Sequence, residues 1–173
     1  MEQNTQNQRR DNRRSAQSRR EPREKSEFDS RLLDVARVAR VTKGGKRFSF
    51  RATIIIGDGK GRVGIGVAQG TDVAQAMQKA TQKAKKHIVH VPISKGTIPH
   101  ATMYKYHSAC VTLKPASLGS GVKAGGAVRI IAKLAGIENI TAKLTERTGN
   151  KINIARATLE ALMQIKKSKP ISN

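Results

Sequence analysis

Between residues 35 and 68 the chain carries the apolar clusters and tight turns of strands. Val35 to Val41 and Phe48 to Ile56 form two runs joined by Lys43-Gly44-Gly45-Lys46, and Asp58-Gly59 opens a second turn before Arg62 to Ala68. Glycine supplies the positive φ that short hairpin turns require, so the three runs predict an antiparallel meander. At Asp72 the period changes. Val73, Met77, Ala80, Ala84 and Ile88 recur at spacings of three and four, which predicts a helix to about Ile88 with Thr71 as its cap. Lys79, Lys83 and Lys86 form a separate stripe on that helix with no acid three or four residues away to pair with them.

Pro92, Gly96 and Pro99 interrupt the pattern. Beyond them Ala109 to Lys114 reads as a strand, Gly119 to Gly126 as a glycine-rich bend and about Ala127 to Ala135 as a helix. A strand from Asn139 to Thr145 follows, where Ile140, Ala142 and Leu144 alternate with Thr141, Lys143 and Thr145 as in a half-buried strand. A last helix spans about Asn153 to Ile165, with Pro170 just past it. The fold class expected is α+β in two small domains, residues 28–94 (meander plus helix) and 95–173 (βαβα). Residues 1–27 offer only Met1 and Ala16 as apolar side chains, too little to offset ordering entropy, so a disordered basic tail is expected. It is expected to serve either as an auxiliary arm that touches a partner or as a solvated end.

Charge narrows the function. The 173 residues hold 34 Lys and Arg against 12 Asp and Glu, a formal charge of +22. The tail's eight cations and five acids leave +19 on residues 28–173. Such a surplus opposes compaction unless a polyanion neutralises it. A membrane fits poorly, because the chain has no Trp, three Phe and no apolar run long enough to span a bilayer. Nucleic acid fits better. The 65 residues between Asp72 and Glu138 contain no acid, and carboxylates are the usual general bases and magnesium ligands. That stretch reads as a surface for phosphates, and no enzyme activity or cofactor is expected. Cys110 is alone, so no internal disulfide can form, which points to a reducing cytoplasm. His107 lies at ligand-like spacing from it, but His87 and His90 would have to complete any zinc site, and ordinary side chains are expected.

Three motifs need weighing. Gly59-Lys60-Gly61-Arg62-Val63-Gly64 spells the dinucleotide fingerprint, yet Ile65-Gly66-Val67 continues as a strand where that site requires a helix. A glycine-rich hairpin is expected instead. Pro115 to Gly121 follows a strand and leads to a helix at Gly125-Gly126, the layout of a phosphate-cradling loop. It resembles the Pro-x-x-x-Gly-x-Gly loop of the GHMP small-molecule kinases, but Val122-Lys123 stand where that family has small hydroxyl residues and its acids are missing. Phe48 and Phe50 share a strand face among Lys46, Arg47 and Arg51. They lack the glycine positions of an RNA-recognition motif and are expected to pack against the Val73 face.

The blocks Val41 to Phe50 and Gly57 to Gly66 resemble the family of ribosomal protein five of the bacterial small subunit. Ala76 to Ala80, Pro115 to Ser117, Ala124 to Arg129 and Asn153 to Thr158 extend the likeness. The resemblance implies a double-stranded-RNA-binding-like domain followed by one of the fold shared with GHMP kinases, which would account for the loop after Pro115. It implies a structural constituent of the ribosome in the cytoplasm, bound to small-subunit ribosomal RNA at the head–body junction. Ribosomal proteins four and eight and the path by which mRNA enters would be its neighbours. Gly121 and Arg129 fall at family positions near the interface with protein four, implying a part in translational accuracy. Leu118 stands where the family usually carries an acid, and Gln69 lies near a usual lysine.

Expected RNA contacts are Arg37, Arg40, Lys43, Gly44, Gly45, Lys46, Arg47 and Arg51 on the first hairpin. Lys60 and Arg62 on the second turn, the Lys79, Lys83 and Lys86 stripe, and Lys123 on the bend complete the set. A free-standing RNA chaperone or translational regulator would need the same basic surface. A small kinase-like phosphotransferase is the enzyme alternative, and the acid-free stretch argues against it.

Overall fold

The computed structural model describes residues 27–165. The disordered tail expected over residues 1–27 lies outside them except at Glu27, which is described and pairs with Arg62, and the proline beyond the last helix also lies outside them. Three strands form the expected meander: β1 (Asp29–Thr42), β2 (Gly45–Gly57) and β3 (Arg62–Gly70). Helix α1 (Val73–Lys86) packs on one face, and a short strand β4 (Ile88–His90), absent from the sequence reading, pairs with Arg62 to Gly64. The second sheet comprises β5 (Thr102–Tyr106), β6 (Ala109–Pro115), β7 (Val122–Lys123) and β8 (Ile140–Leu144) in the order β5-β6-β8-β7. Helices α2 (Gly126–Ala135) and α3 (Lys151–Met163) complete that domain. Strand β5 was not foreseen, because its five residues alternate tyrosines with Met103 and Lys105 and offer no apolar run. Strand β7 lies inside the segment read as a bend.

The fully buried run Ala52 to Ile56 explains how the domains meet. A strand covered on both faces has no solvent-facing side, so apolar residues occupy both of its faces, with Thr53 the one polar side chain buried among them. Ala52, Ile54 and Ile56 pack with Ala76, Ala80 and Ala84 of α1. Ile55 points the other way and joins Val111, Leu113, Ile131 and Leu162 in the core of the second domain. The first sheet is therefore a middle layer between α1 and the C-terminal half.

Helix α1 differs in detail from its sequence reading. Asp72, rather than Thr71, is the cap, its carboxylate accepting from the Ala74 N–H. The fully buried stripe is Ala76, Ala80 and Ala84, while Val73 and Met77 are half-buried. The cause lies across the interface, where β3 presents glycines. A Cβ at Gly66 would stand 1.9 Å from the Ala80 carbonyl oxygen, and one at Gly64 would stand 2.6 Å from that of Ala84. Helix and strand meet backbone to backbone, and only small residues permit it. The glycines of the apparent fingerprint serve this packing and the preceding turn.

Phe50 packs against the α1 side, as expected. Phe48 does not. It is 52% exposed on the part of the hairpin beyond the helix, and the Arg37 guanidinium lies 3.8 Å from its ring centroid.

Candidate nucleic-acid interface

Strands β1 and β2 run in register to a two-residue turn at Lys43-Gly44, with Thr42 opposite Gly45. The Thr42 hydroxyl donates to the Gly45 carbonyl at 3.1 Å, and Gly45 holds φ +149°. Residues 41–48 are all exposed. Register assigns the cations to two faces. Arg40 stands opposite Arg47, with Arg51 farther down the same face opposite Ala36. Arg37 and Lys46 lie on the other face with Val41 and Phe48. Like charges directly opposed in a sheet are destabilising, and neither Arg40 nor Arg47 has a carboxylate partner among the described residues. An approaching anion would relieve both.

Lys79, Lys83 and Lys86 are exposed on α1 as a continuous stripe. The helix runs antiparallel to β3, from Gly70 near Asp72 to Gly64 near Ala84, so the stripe leads away from the hairpin tip. Lys83 and Lys86 reach a groove of about 880 Å³ that Arg156 also lines. Lys123 lies on the second sheet. The expected contacts thus form separate groups rather than one patch.

The second turn is organised by Asp58, whose importance the sequence reading missed. Its side chain is 4% exposed and accepts from the backbone N–H of Lys60 and Arg62, at 2.8 and 3.0 Å, and from Arg62 Nε at 2.6 Å. Burial acts to raise the Asp58 pKa, but these hydrogen bonds outweigh it and hold the group at about 2. Arg62 also pairs with Glu27 and lies over the Phe28 ring, 5.0 Å from its centroid. Its guanidinium is engaged within the chain, whereas Lys60 is exposed.

So ordered, the turn closes the end of α2. Gly59 N–H donates to the Leu134 carbonyl at 2.9 Å and Gly61 N–H to that of Ala135 at 2.8 Å. The Gly136 and Ile137 N–H groups take the carbonyls of Lys133 and Ala132. All four carbonyls that a helix end leaves unpaired are thereby satisfied, two of them from the other domain. A Cβ at Gly136 would lie 2.0 Å from the Gly59 carbonyl oxygen, so the fit is flush.

The loop after Pro115 leads into the start of α2, where Gly125, Gly126 and Lys151 share a niche with apolar side chains. Gly125 caps α2 without a side-chain hydrogen bond, and those apolar neighbours are Leu33, Ala127, Ile130, Leu144 and Ile154. Gly121, at φ +69°, donates its N–H to the buried Asn139 side chain at 3.0 Å. Arg129 is exposed in a shallow recess of about 650 Å³ that also contains Lys133 and Glu138. Among the described residues no helix is long and apolar enough to cross a membrane.

A meander-plus-helix domain joined to a second small α+β domain, with unpaired cations on both, is the arrangement of a protein built to lie against a polyanion. Two family models match successive parts of the chain: Ribosomal protein S5, N-terminal domain, over residues 28–92, and Ribosomal protein S5, C-terminal domain, over residues 104–173. The chain belongs to the ribosomal protein S5 family. It is a structural, RNA-binding constituent of the ribosome.

Asp58 titrates lower in the folded chain than its ordinary 3.8. Its contribution is therefore complete above about pH 4 and is lost as pH falls toward 2. Asp58→Asn should cost about 2 kcal/mol in urea unfolding at pH 7, and the gap to the parent chain should narrow between pH 4 and 2. Equal stability at pH 7 would contradict this role.

Proposed function

We propose that this chain binds small-subunit ribosomal RNA at the junction of head and body and contributes to decoding accuracy. The observation that carries the reading is the exposed hairpin tip, where Arg40 and Arg47 face each other without a carboxylate. Lys43, Gly44, Gly45 and Lys46 surround that pair, and the glycines let the backbone approach a phosphate closely. Arg37, held on Phe48, and Arg51 extend the surface. The Lys79, Lys83 and Lys86 stripe, Lys60 and Lys123 supply further phosphate contacts. Arg62 acts chiefly as the staple of its own turn.

Ribosomal proteins four and eight are the proposed protein neighbours, near the path by which mRNA enters. Arg129 supports the first of these. A cation in the first turns of a helix gains nothing from the helix dipole, and Arg129 has no ion pair among the described residues. It suits an external carboxylate better. Gly121 is the positive-φ residue of the loop before α2, next in the chain to Val122, which lines the same recess as Arg129. An interface formed only in the open state of the subunit would hold back the closed, tRNA-accepting form.

Replacing Lys79, Lys83 and Lys86 together by Gln should lower the slope of log K against log salt for RNA binding by about two to three units. An unchanged slope would show that the stripe is only solvated. Arg129→Leu should raise stop-codon readthrough severalfold in a dual-reporter assay while the protein still assembles into ribosomes. Normal readthrough with full incorporation would exclude the accuracy role.

A further inference from the structure

The second sheet has one covered face and one open face. Tyr104, Val111, Leu113, Ile140 and Leu144 point toward α2 and α3 and carry the core. The opposite face has no helix or strand packed on it among the described residues. It is closed at Cys110, which is buried opposite Lys105, and open toward Lys114, and pairing register sets out its side chains. Lys114 stands opposite Thr141, which is paired on its other side with Lys123. In the next row Met103 stands opposite Thr112, and Thr112 opposite Lys143. Thr145 adds a hydroxyl 3.4 Å from that of Thr112.

Strands lie about 4.8 Å apart and alternate residues about 7 Å apart along a strand, so Lys114, Lys123 and Lys143 fall within roughly 10 Å of one another. All three are exposed, and none is in an ion pair among the described residues. The acid at the margin, Glu146, is held by Lys105 Nζ at 2.7 Å. That pairing raises the Lys105 pKa and leaves the three lysines without a carboxylate. Their mutual repulsion calls for an external anion.

We propose that this open face is a second RNA-binding surface, which grips the phosphate backbone without reading sequence. The inference rests on the chain's RNA-binding role and extends it to Lys114 and Lys143, joined with Lys123. Lysine is depleted from protein–protein interface cores, which favour aromatic residues, Met and Arg, and this face presents Met103 alone from that set. Threonine hydroxyls between lysine point charges suit phosphate oxygens and ribose hydroxyls instead. No aromatic ring lies on the face for base stacking, so recognition is of the backbone. Because the hairpin surface belongs to the first sheet, the two contacts address different stretches of RNA. Once one is bound the other is presented at high effective concentration, and the chain acts as a clamp between RNA segments.

Lysine acylation of the full chain, read by mass spectrometry with and without protein-free small-subunit ribosomal RNA, tests this directly. Lys114, Lys123 and Lys143 should lose reactivity severalfold in the complex. The Gln variant of all three should keep the parent's thermal midpoint and lower the salt slope by about two to three units. If the three stay as reactive as in the free chain while Lys79, Lys83 and Lys86 are protected, the second surface is refuted and the first stands. If no lysine is protected because the chain does not bind, the RNA-binding role fails with it. Protection in assembled subunits but not by RNA alone would make the face a protein-docking surface and overturn the proposal.

Discussion

The backbone junction between the Gly57–Gly61 turn and the end of α2 is the interaction on which the rest of the molecule depends. Two N–H groups from one domain complete a helix of the other, and the approach is close enough to exclude any side chain at Gly57 or Gly136. Asp58 fixes the turn in the shape that permits this. Above it Ile55 enters the second core while Ile54 and Ile56 enter the first, so the middle sheet is buried on both faces. The hairpin tip, the α1 stripe and the open face of the second sheet are consequently held in one frame. A protein that binds a folded RNA at several points gains from that rigidity, because less ordering entropy remains to be lost on binding.

Charge is distributed in keeping with this frame. Five of the eight acids among the described residues hold a cation or cap a helix: Asp58 and Glu27 hold Arg62, Asp34 holds Lys151, Glu146 holds Lys105 and Asp72 caps α1. Apart from the pair made by the buried Asp58, these exposed pairs add little stability by themselves. Their consequence here is that the hairpin arginines and the α1 lysines are left without partners. With a formal charge of +22 the chain repels itself, and neutralisation by phosphate contributes to its stability as well as to its affinity.

Much of this was legible in the sequence. The glycine turns, the change of period at Asp72 and the apolar cluster within Phe48 to Ile56 are local signals, and each led to an element that is present. What escaped depended on distant residues. Strand β4 exists because the chain returns along Arg62 to Gly64, and β5 because Ala109 to Leu113 offers an edge to pair with. Phe48 reads like Phe50 until the length of α1 shows that the helix does not reach it. Asp58 reads as an ordinary turn residue until the α2 carbonyls appear beside its glycines. For the interface, cation identity and the missing acids were visible along the chain, and the alternation at Lys143 hinted at an outward face. Only pairing register brings Lys114, Lys123 and Lys143 together.

Sedimentation of the tagged chain from a cell lysate tests the central claim most directly. The expected result is that the chain travels with small ribosomal subunits at low salt and is released as salt is raised. A chain that stays in the free pool near the top of the gradient, with small subunits assembled without it, would contradict a structural role in the ribosome and indicate a free-standing RNA chaperone or regulator.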